Sequence, residues 1–150
     1  MTLENLLAIH RLQAFEATAA AVLRLLAAAE RNLADAGLAE LSNDNRFDAA
    51  YKTIMQCAMV GLWAKGYRTV TSQPGHHQTA LQALPKTLGL ATDTVIVLDA
   101  LRKQRYLNDY EGDPVTDAAV RECLAQAQVL LTETKRWLQR HRPDLLNEAP

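Results

Sequence analysis

The chain is poor in several of the residue types that organise catalytic or metal sites. It contains two cysteines, six glycines, four histidines and few aromatic residues, namely two phenylalanines, two tryptophans and four tyrosines. Cys57 and Cys123 are far apart and lie in apolar helical patterns, so we expect both to be buried and reduced. The sequence shows no glycine-rich phosphate loop and no serine or cysteine with a plausible neighbouring base. Neither phosphate-loop nor nucleophilic chemistry is therefore indicated.

The chain also lacks a long apolar run and a strong charge of one sign. Its net charge is −1, which gives no overall attraction to nucleic acid or membranes, so RNA binding would require a local basic patch. The longest apolar stretch, Ala17–Ala29, includes Thr18 and Arg24 and is too short to cross a bilayer. The first residues include Glu4 and His10 and do not resemble a signal peptide. We therefore expect a soluble, cytoplasmic protein with no membrane partner.

Alanine and leucine in helical patterns dominate what is present. Hydrophobic residues form 49% of the chain, enough for one ordinary core, and we expect a single domain over residues 1–150. Four long segments repeat apolar residues every three or four positions, which indicates amphipathic helices. The predicted long helices are Thr18–Ala36, a segment from possible caps at 42–44 to Lys65, Thr92–Glu111 and Asp117–His141, with shorter helices near 1–13 and 76–89. No strand alternation is present, so the predicted fold is an all-α, up-and-down antiparallel four-helix bundle with additional short helices.

The penultimate long helix departs from this pattern in the segment LRKQRYLNDYEGD (Leu101–Asp113). At 100° per residue, Leu98 and Leu101 face the core, and the same side turns polar one turn later. The polar and aromatic side chains of this face are Arg102, Arg105, Tyr106, Asn108, Asp109 and Tyr110. Residues four apart on a helix can touch, which pairs Arg105 with Asp109 and one tyrosine with the other.

A buried arginine needs a partner or contact with water, and three interpretations of this face are open. It can be a structural network, in which an arginine and an aspartate pair at the end of the bundle. It can be a subunit interface, because arginine and tyrosine are enriched at such surfaces. It can be an anion or RNA-phosphate site, because two guanidinium groups bind phosphate oxygens well. The last two are compatible, since a cleft between two subunits could bind an anion.

His76 and His77 follow Gly75 and begin a predicted short helix. They could cap that helix or pack against the preceding loop. Alternatively, this turn could fold onto Arg102 and Arg105 and supply an imidazole beside them, where a helix start also offers free backbone N–H groups to an anion. Metal centres in helical bundles commonly use a glutamate followed three residues later by a histidine, and no such pair occurs here. We expect no bound metal and no cofactor.

Six segments of the chain form a recognisable series. They are NDNRFDAAY (43–51), GYR (66–68), GHH (75–77), LQALPKTLGL (81–90), LDALRKQRYLNDYEGD (98–113) and the ending RPDLL (142–146). In this order they resemble proteins of the HEPN-domain family. The resemblance implies a bundle of four to five helices, commonly a homodimer, often encoded beside a minimal nucleotidyltransferase that is a possible protein partner. It also implies a relation to metal-independent ribonucleases and toxins of toxin–antitoxin systems. Their motif is an arginine followed, four to six residues later, by a histidine.

In this sequence the implied motif is incomplete. Arg105 matches the arginine position, but the residues four to six further on are Asp109, Tyr110 and Glu111. Asp109 is a poor substitute for histidine, because an aspartate beside Arg105 stays ionised and is a weak general acid near neutral pH. Catalysis of the implied kind would need an imidazole from another part of the chain.

The sequence therefore favours a non-catalytic, HEPN-like dimeric bundle that binds a protein partner or RNA through the face from Arg102 to Tyr110. A first alternative is a metal-independent ribonuclease or toxin component that uses Arg105 with His76 or His77. A second alternative is a purely structural bundle, whose polar face only fixes how the helices pack.

Overall fold

The computed structural model describes residues 1–147 and is predominantly helical. Over this range the chain forms seven α-helices, two three-residue strands and a short 3₁₀ helix. In chain order the elements are α1 (Leu3–Ala8), β1 (Leu12–Ala14), α2 (Ala19–Ala36), α3 (Asn43–Ala64), β2 (Tyr67–Thr69), α4 (His76–Gln82), α5 (Leu84–Thr87), α6 (Thr92–Glu111), α7 (Asp117–His141) and the 3₁₀ helix (Pro143–Leu146). The predicted helical class is confirmed. Within residues 1–147, none of the helices has both the length and the apolar character required to cross a membrane.

Side-chain caps fix the starts of three long helices. Thr18, Ser42 and Thr116 each accept a hydrogen bond at 3.1 Å from the backbone N–H three residues later. Such a cap satisfies a donor that the first helical turn leaves unpaired and is worth about 1 kcal/mol. The starts of α2, α3 and α7 therefore agree with the predicted boundaries. At its other end, α6 stops at Gly112, whose φ of +73° is a conformation that glycine adopts readily.

α3 is the central helix of the fold. α2 and α7 pack along it, and α4, α5 and α6 also contact it. Its side chains Phe47, Tyr51 and Ile54 are at most 1% exposed, which agrees with the nearly continuous apolar character of this segment. Cys57 of α3 and Cys123 of α7 are buried free thiols. Burial raises the pKa of each thiol to about 12, so both are inert core residues, as predicted.

The structure also contains one pair of short strands that the sequence did not predict. β1 and β2 form an antiparallel pair that aligns Leu12 with Thr69. The predicted first helix at 1–13 accordingly ends at Ala8. His10 has a φ of +63°, which a right-handed helix cannot continue through, and Leu12 beyond it is 1% exposed. Burial of Leu12 and pairing with a distant segment outweigh the local helical pattern.

The predicted short helix at 76–89 forms as two pieces, α4 and α5. Pro85 lies in the first turn of α5, where the N–H that proline lacks has no helical acceptor anyway. α4 contacts both α3 and α6. The helix starts after Gly75, so its first turn brings His76 and His77 towards α6. The fold thus places the histidine turn beside the polar end of α6.

Gly61 lies where α3 meets the end of α5, and its lack of a side chain matters for packing. A Cβ added there would lie 2.9 Å from the Thr87 hydroxyl oxygen and 3.1 Å from Leu88 Cγ, and both neighbours are buried. We expect Gly61→Ala to lower the free energy of unfolding by about 1–3 kcal/mol, as overpacking does, in urea denaturation. Gly37→Ala is the matched control, because the nearest atom to its added Cβ is 3.4 Å away. Equal effects of the two substitutions would contradict this account.

Candidate functional site

A groove of about 320 Å³ opens between α4 and α6, with one α3 side chain in its wall. Its lining residues are Tyr51, Gly75, His76, His77, Gln78, Arg102, Arg105, Tyr106 and Tyr110. It therefore brings together two arginines, two histidines and two tyrosines that the sequence singled out on separate helices. Asn108 and Asp109, which the sequence also singled out, are not among the lining residues.

Arg105 is held in the groove by a carboxylate from another helix. Its Nε lies 2.9 Å from Asp48 Oδ1 on α3 and 3.6 Å from Asp109 Oδ2 one turn further along α6. The predicted contact with Asp109 is present, but Asp48 is the closer partner. Burial alone would lower the pKa of Arg105, and the hydrogen bond and charge of Asp48 outweigh it and raise that pKa. Arg105 thus remains a fixed positive charge.

Arg102 is held by its own helix. Its Nε lies 2.8 Å from Asp99 Oδ1, and the Lys103 ammonium lies 3.5 Å from the second oxygen of the same carboxylate. Burial by itself would raise the pKa of Asp99, but the hydrogen bond and charge of Arg102 outweigh it, and the pKa is lowered. Asp99 therefore stays ionised and fixes the position of Arg102.

Both arginines use only their Nε atoms in these contacts. Within residues 1–147, the terminal nitrogens of the two guanidinium groups have no protein hydrogen-bond acceptor. The side chains of Arg102 and Arg105 are 24% and 33% exposed, so they are neither sealed in the core nor fully solvated. Their remaining N–H groups are available to an oxygen-rich anion in the groove.

Tyr51 connects Arg105 to His77. The guanidinium carbon of Arg105 lies 5.1 Å from the centre of the Tyr51 ring, and the Tyr51 hydroxyl lies 3.2 Å from His77 Nδ1. Burial raises the pKa of Tyr51 to about 12, so the phenol is neutral. Burial, followed by the neighbouring His76 and Arg105, lowers the pKa of His77 from its ordinary value of 6.5. Near pH 7, His77 is therefore a neutral imidazole that has one donor and one acceptor nitrogen.

The two tyrosines of α6 form an exposed aromatic pair at the rim. Their ring centres are 4.8 Å apart, and Tyr106 and Tyr110 are 58% and 75% exposed. The adjacent Asn108 accepts a hydrogen bond from the Gln104 amide at 3.0 Å. Its own amide nitrogen is buried without a partner, and nothing in the structure explains this. The tyrosines are therefore the residues of this face that an aromatic ligand can reach.

His77 gives the protein a defined response to acid. Because the pKa of His77 is lowered on folding, the unfolded chain binds more protons than the folded chain at pH values just below 6.5. We expect the free energy of unfolding to fall as the pH decreases through this window, and the fall to be smaller in His77→Gln. Urea denaturation at a series of pH values measures both effects.

The control for this experiment is His10→Asn, since asparagine tolerates the left-handed backbone found there. His10 is exposed and is not among the residues that line the groove. The control should keep the pH dependence of the unmodified protein. If His77→Gln showed that same dependence, the proposed source of the acid sensitivity would be wrong.

Three residues that organise the groove were missed by the sequence reasoning. They are Asp48, Asp99 and Tyr51. Tyr51 is 1% exposed, and its contacts with Arg105 and His77 join helices that are distant in the sequence. A signal for Asp48 exists, because a carboxylate beside the core stripe of a central helix needs a cationic partner.

The arrangement offers no obvious metal centre. Within residues 1–147, no three side chains of histidine, cysteine, aspartate or glutamate come together closely enough to hold a metal ion. The side chains that line the groove carry guanidinium, imidazole, phenol and amide groups.

No protein-family model, no curated protein and no solved structure matches this chain. The resemblance to HEPN-domain proteins accordingly remains a hypothesis based on the sequence segments. The function is best argued from the groove itself.

Proposed function

We propose that this protein is a non-catalytic, HEPN-like helical module that binds single-stranded RNA in the groove between α4 and α6. The observation that carries the proposal is the pair of guanidinium groups of Arg102 and Arg105. Each is fixed through Nε by an aspartate, and each keeps its terminal N–H groups free of protein acceptors in the described part of the chain. Two pre-positioned guanidinium groups favour phosphate, because they bind its oxygens in a bidentate manner.

The charge distribution of the groove supports an anionic ligand. Within the described part of the chain, no acidic residue lines the groove. Asp48 and Asp99 contact the arginines but are not among the lining residues. The aspartates balance the charge of the two arginines from outside the lining, and the lining itself presents guanidinium groups and no carboxylate. Charged N–H donors that face a groove favour the oxygens of an anion such as phosphate.

The aromatic residues favour RNA over an acidic peptide. Tyr106 and Tyr110 are exposed beside the arginines, and nucleobases of single strands stack on such rings. The groove volume of about 320 Å³ is at the small end of the range for ligand pockets, so it accommodates a short unit of the chain. An RNA strand bound in the groove would thus place a phosphate against the guanidinium groups and stack a base on the tyrosine rings.

The proposal includes the finer architecture and assembly expected from the sequence. α2, α3, α6 and α7 would form the four-helix bundle, for which the central position of α3 is the supporting observation. The protein would act as a homodimer, and a nucleotidyltransferase-type protein is a possible further partner. The resemblance to HEPN-domain proteins implies both the homodimer and this partner.

The direct test is fluorescence anisotropy with a short labelled single-stranded RNA, at low and high salt. We expect binding that weakens with salt, with a slope of about −1.4 in a plot of log K against log salt concentration, because each phosphate contact of a single strand contributes about −0.7. Double-stranded RNA of the same sequence should bind more weakly, because its bases cannot reach the tyrosines. Absence of single-strand binding at low salt would refute the proposal.

A second candidate function is metal-independent RNA cleavage, and one observation favours it. His76 and His77 line the same groove as Arg102 and Arg105. α4 therefore supplies an imidazole beside these arginines, whereas the sequence motif on α6 contains no histidine. His77 is neutral near pH 7 and could act as a general base. Incubation of the purified protein with bulk RNA in the presence of a chelator tests this function. Degradation that disappears in His77→Gln would replace the non-catalytic proposal by the catalytic one.

A further inference from the structure

α6 carries a second apolar stripe, on the side that faces away from the protein core. Its members are Ile96, Ala100, Lys103, Leu107 and Tyr110, and we call them the outer stripe. Ile96, Leu107 and Tyr110 are 63%, 37% and 75% exposed, and the lysine presents an aliphatic stem. Successive members are four, three, four and three residues apart, which is the spacing of a coiled-coil seam. The outer stripe therefore has the pattern of a helix-pairing surface and is open in the folded chain.

The outer stripe is distinct from the surface that attaches α6 to the fold. Val95, Leu98 and Leu101 lie on the other side of the helix and are at most 8% exposed. A surface helix usually buries one apolar face and presents a polar one to water. α6 is apolar on two sides, so its outer side requires an explanation that packing within the chain does not supply.

The geometry points to a second copy of this chain as the partner, with its α6 antiparallel to the first. A two-fold axis between Leu101 and Arg102 would place Ile96 against Leu107 of the second copy, and the reverse. It would also place Ala100, the smallest member, against the long side chain of Lys103. The Ile96–Leu107 layers on the two sides of the axis are apolar, and the layers nearest the axis pair a small side chain with a large one. Tyr110 lies opposite Asp93 of the second copy, outside these layers.

The charges near the centre of the outer stripe favour the same orientation. Asp99 and Lys103 form an ion pair of 3.5 Å within one chain. In the antiparallel arrangement this pair meets its inverted copy, so each ammonium lies near two carboxylates. A parallel, in-register arrangement would instead place Lys103 against Lys103, which is unfavourable.

A cavity beside the outer stripe provides room for the side chains of the second copy. It has a volume of about 520 Å³, lies between α6 and the α4–α5 segment, and is lined in part by Pro85, Val95, Ile96 and Ala100. In the antiparallel arrangement, Leu107 of the second copy lies at its edge, next to Ile96. One helix pair with such a cavity forms a small interface, so we expect a dissociation constant on the order of micromolar.

This inference rests on the homodimer in the proposed function, and Tyr110 is the one residue that the outer stripe shares with the lining of the groove. It places the subunit interface on the outer stripe, whereas the sequence suggested the face from Arg102 to Tyr110. Arg102 and Arg105 of that surface are engaged with aspartates of their own chain and line the groove, whereas Ile96 and Leu107 of the outer stripe are exposed and outside it.

Analytical ultracentrifugation over a range of concentrations tests the interface. We expect Leu107→Glu and Ile96→Glu each to weaken dimerisation by about 30-fold, the effect of a hot-spot residue. The matched control is Val129→Glu, which places the same charge on an exposed apolar residue of α7 (57% exposed) and should leave the dimer unchanged. Circular dichroism confirms that the variants are folded. A protein that is monomeric up to about 1 mM, or a dimer that tolerates both outer-stripe substitutions, would overturn the inference.

Cross-linking tests the orientation independently. An equimolar mixture of Ala100→Cys and Lys103→Cys, treated with a short bismaleimide, should give cross-linked dimers faster than Ala100→Cys alone. Cys57 and Cys123 are buried and should not react. Faster cross-linking of Ala100→Cys alone would indicate a parallel pair and refute the antiparallel arrangement. RNA affinity, measured on the same outer-stripe variants, distinguishes failure of the interface from failure of the RNA site.

Discussion

Replacement of both Arg102 and Arg105 by glutamine is expected to weaken the binding of single-stranded RNA by about two orders of magnitude or more. Each guanidinium group offers charged hydrogen bonds that are worth about 1.5–3 kcal/mol, and two of them together correspond to at least about a hundredfold change in affinity. Glutamine keeps a polar side chain of similar length but removes the charge. Fluorescence anisotropy with the labelled RNA measures the loss, and the salt dependence should become shallower at the same time.

The matched control removes the same charge elsewhere. Arg136 and Arg140 are exposed on the last turns of α7, and their double replacement by glutamine should change affinity only slightly. Equal losses in the two double variants would show that the RNA responds to the overall charge and not to the groove. Urea denaturation adds a further distinction, because Arg105→Gln leaves Asp48 without its closest partner. A large loss of stability without a change in RNA affinity would support the purely structural alternative.

Replacement of Tyr51 by alanine is expected to lower the free energy of unfolding by about 3–5 kcal/mol. Tyr51 is the largest of the fully buried side chains. Removal of a buried aromatic ring leaves a cavity, and such cavities lower the free energy of unfolding by about this amount. The ring also supports Arg105 at 5.1 Å and His77 through its hydroxyl, so the groove should lose its shape as well. Urea denaturation measures the stability and anisotropy measures the RNA affinity.

Tyr51→Phe is the matched control, because it keeps the ring and removes only the hydroxyl. The lost hydrogen bond to His77 should cost about 1 kcal/mol, and the cation–π contact with Arg105 should persist. RNA affinity should therefore remain close to that of the unmodified protein. A Tyr51→Phe variant as unstable as Tyr51→Ala would mean that the hydroxyl, and not packing of the ring, governs this part of the core.

The long helices could be predicted because their signals are local. Thr18, Ser42 and Thr116 cap helices through contacts three residues away, and Gly112 ends α6 through its own φ angle. The β1–β2 pair could not be predicted in this way. It aligns Leu12 with a residue more than fifty positions later, and three-residue strands are too short to show an alternating pattern.

The groove could be predicted only in part, for the same physical reason. Helical periodicity on α6 placed Arg102 and Arg105 on one side, and the histidine turn was recognised as a candidate neighbour. The partner of Arg105, however, is Asp48, 57 positions earlier on α3. Helical spacing within α6 could suggest only Asp109, which is the more distant carboxylate. Contacts between helices depend on how those helices pack, and periodicity does not specify this.

Asp99 belongs to two surfaces at once. It lines the larger cavity beside the outer stripe, and it holds Arg102, which lines the groove. If a second copy pairs with the outer stripe and an anion binds in the groove, both act on this one carboxylate, and we expect the two binding events to be energetically coupled. By thermodynamic reciprocity, if subunit pairing frees Arg102 for a ligand, then that ligand must favour subunit pairing by the same factor. Through this single aspartate, the fraction of the protein that is dimeric would then depend on the concentration of the ligand.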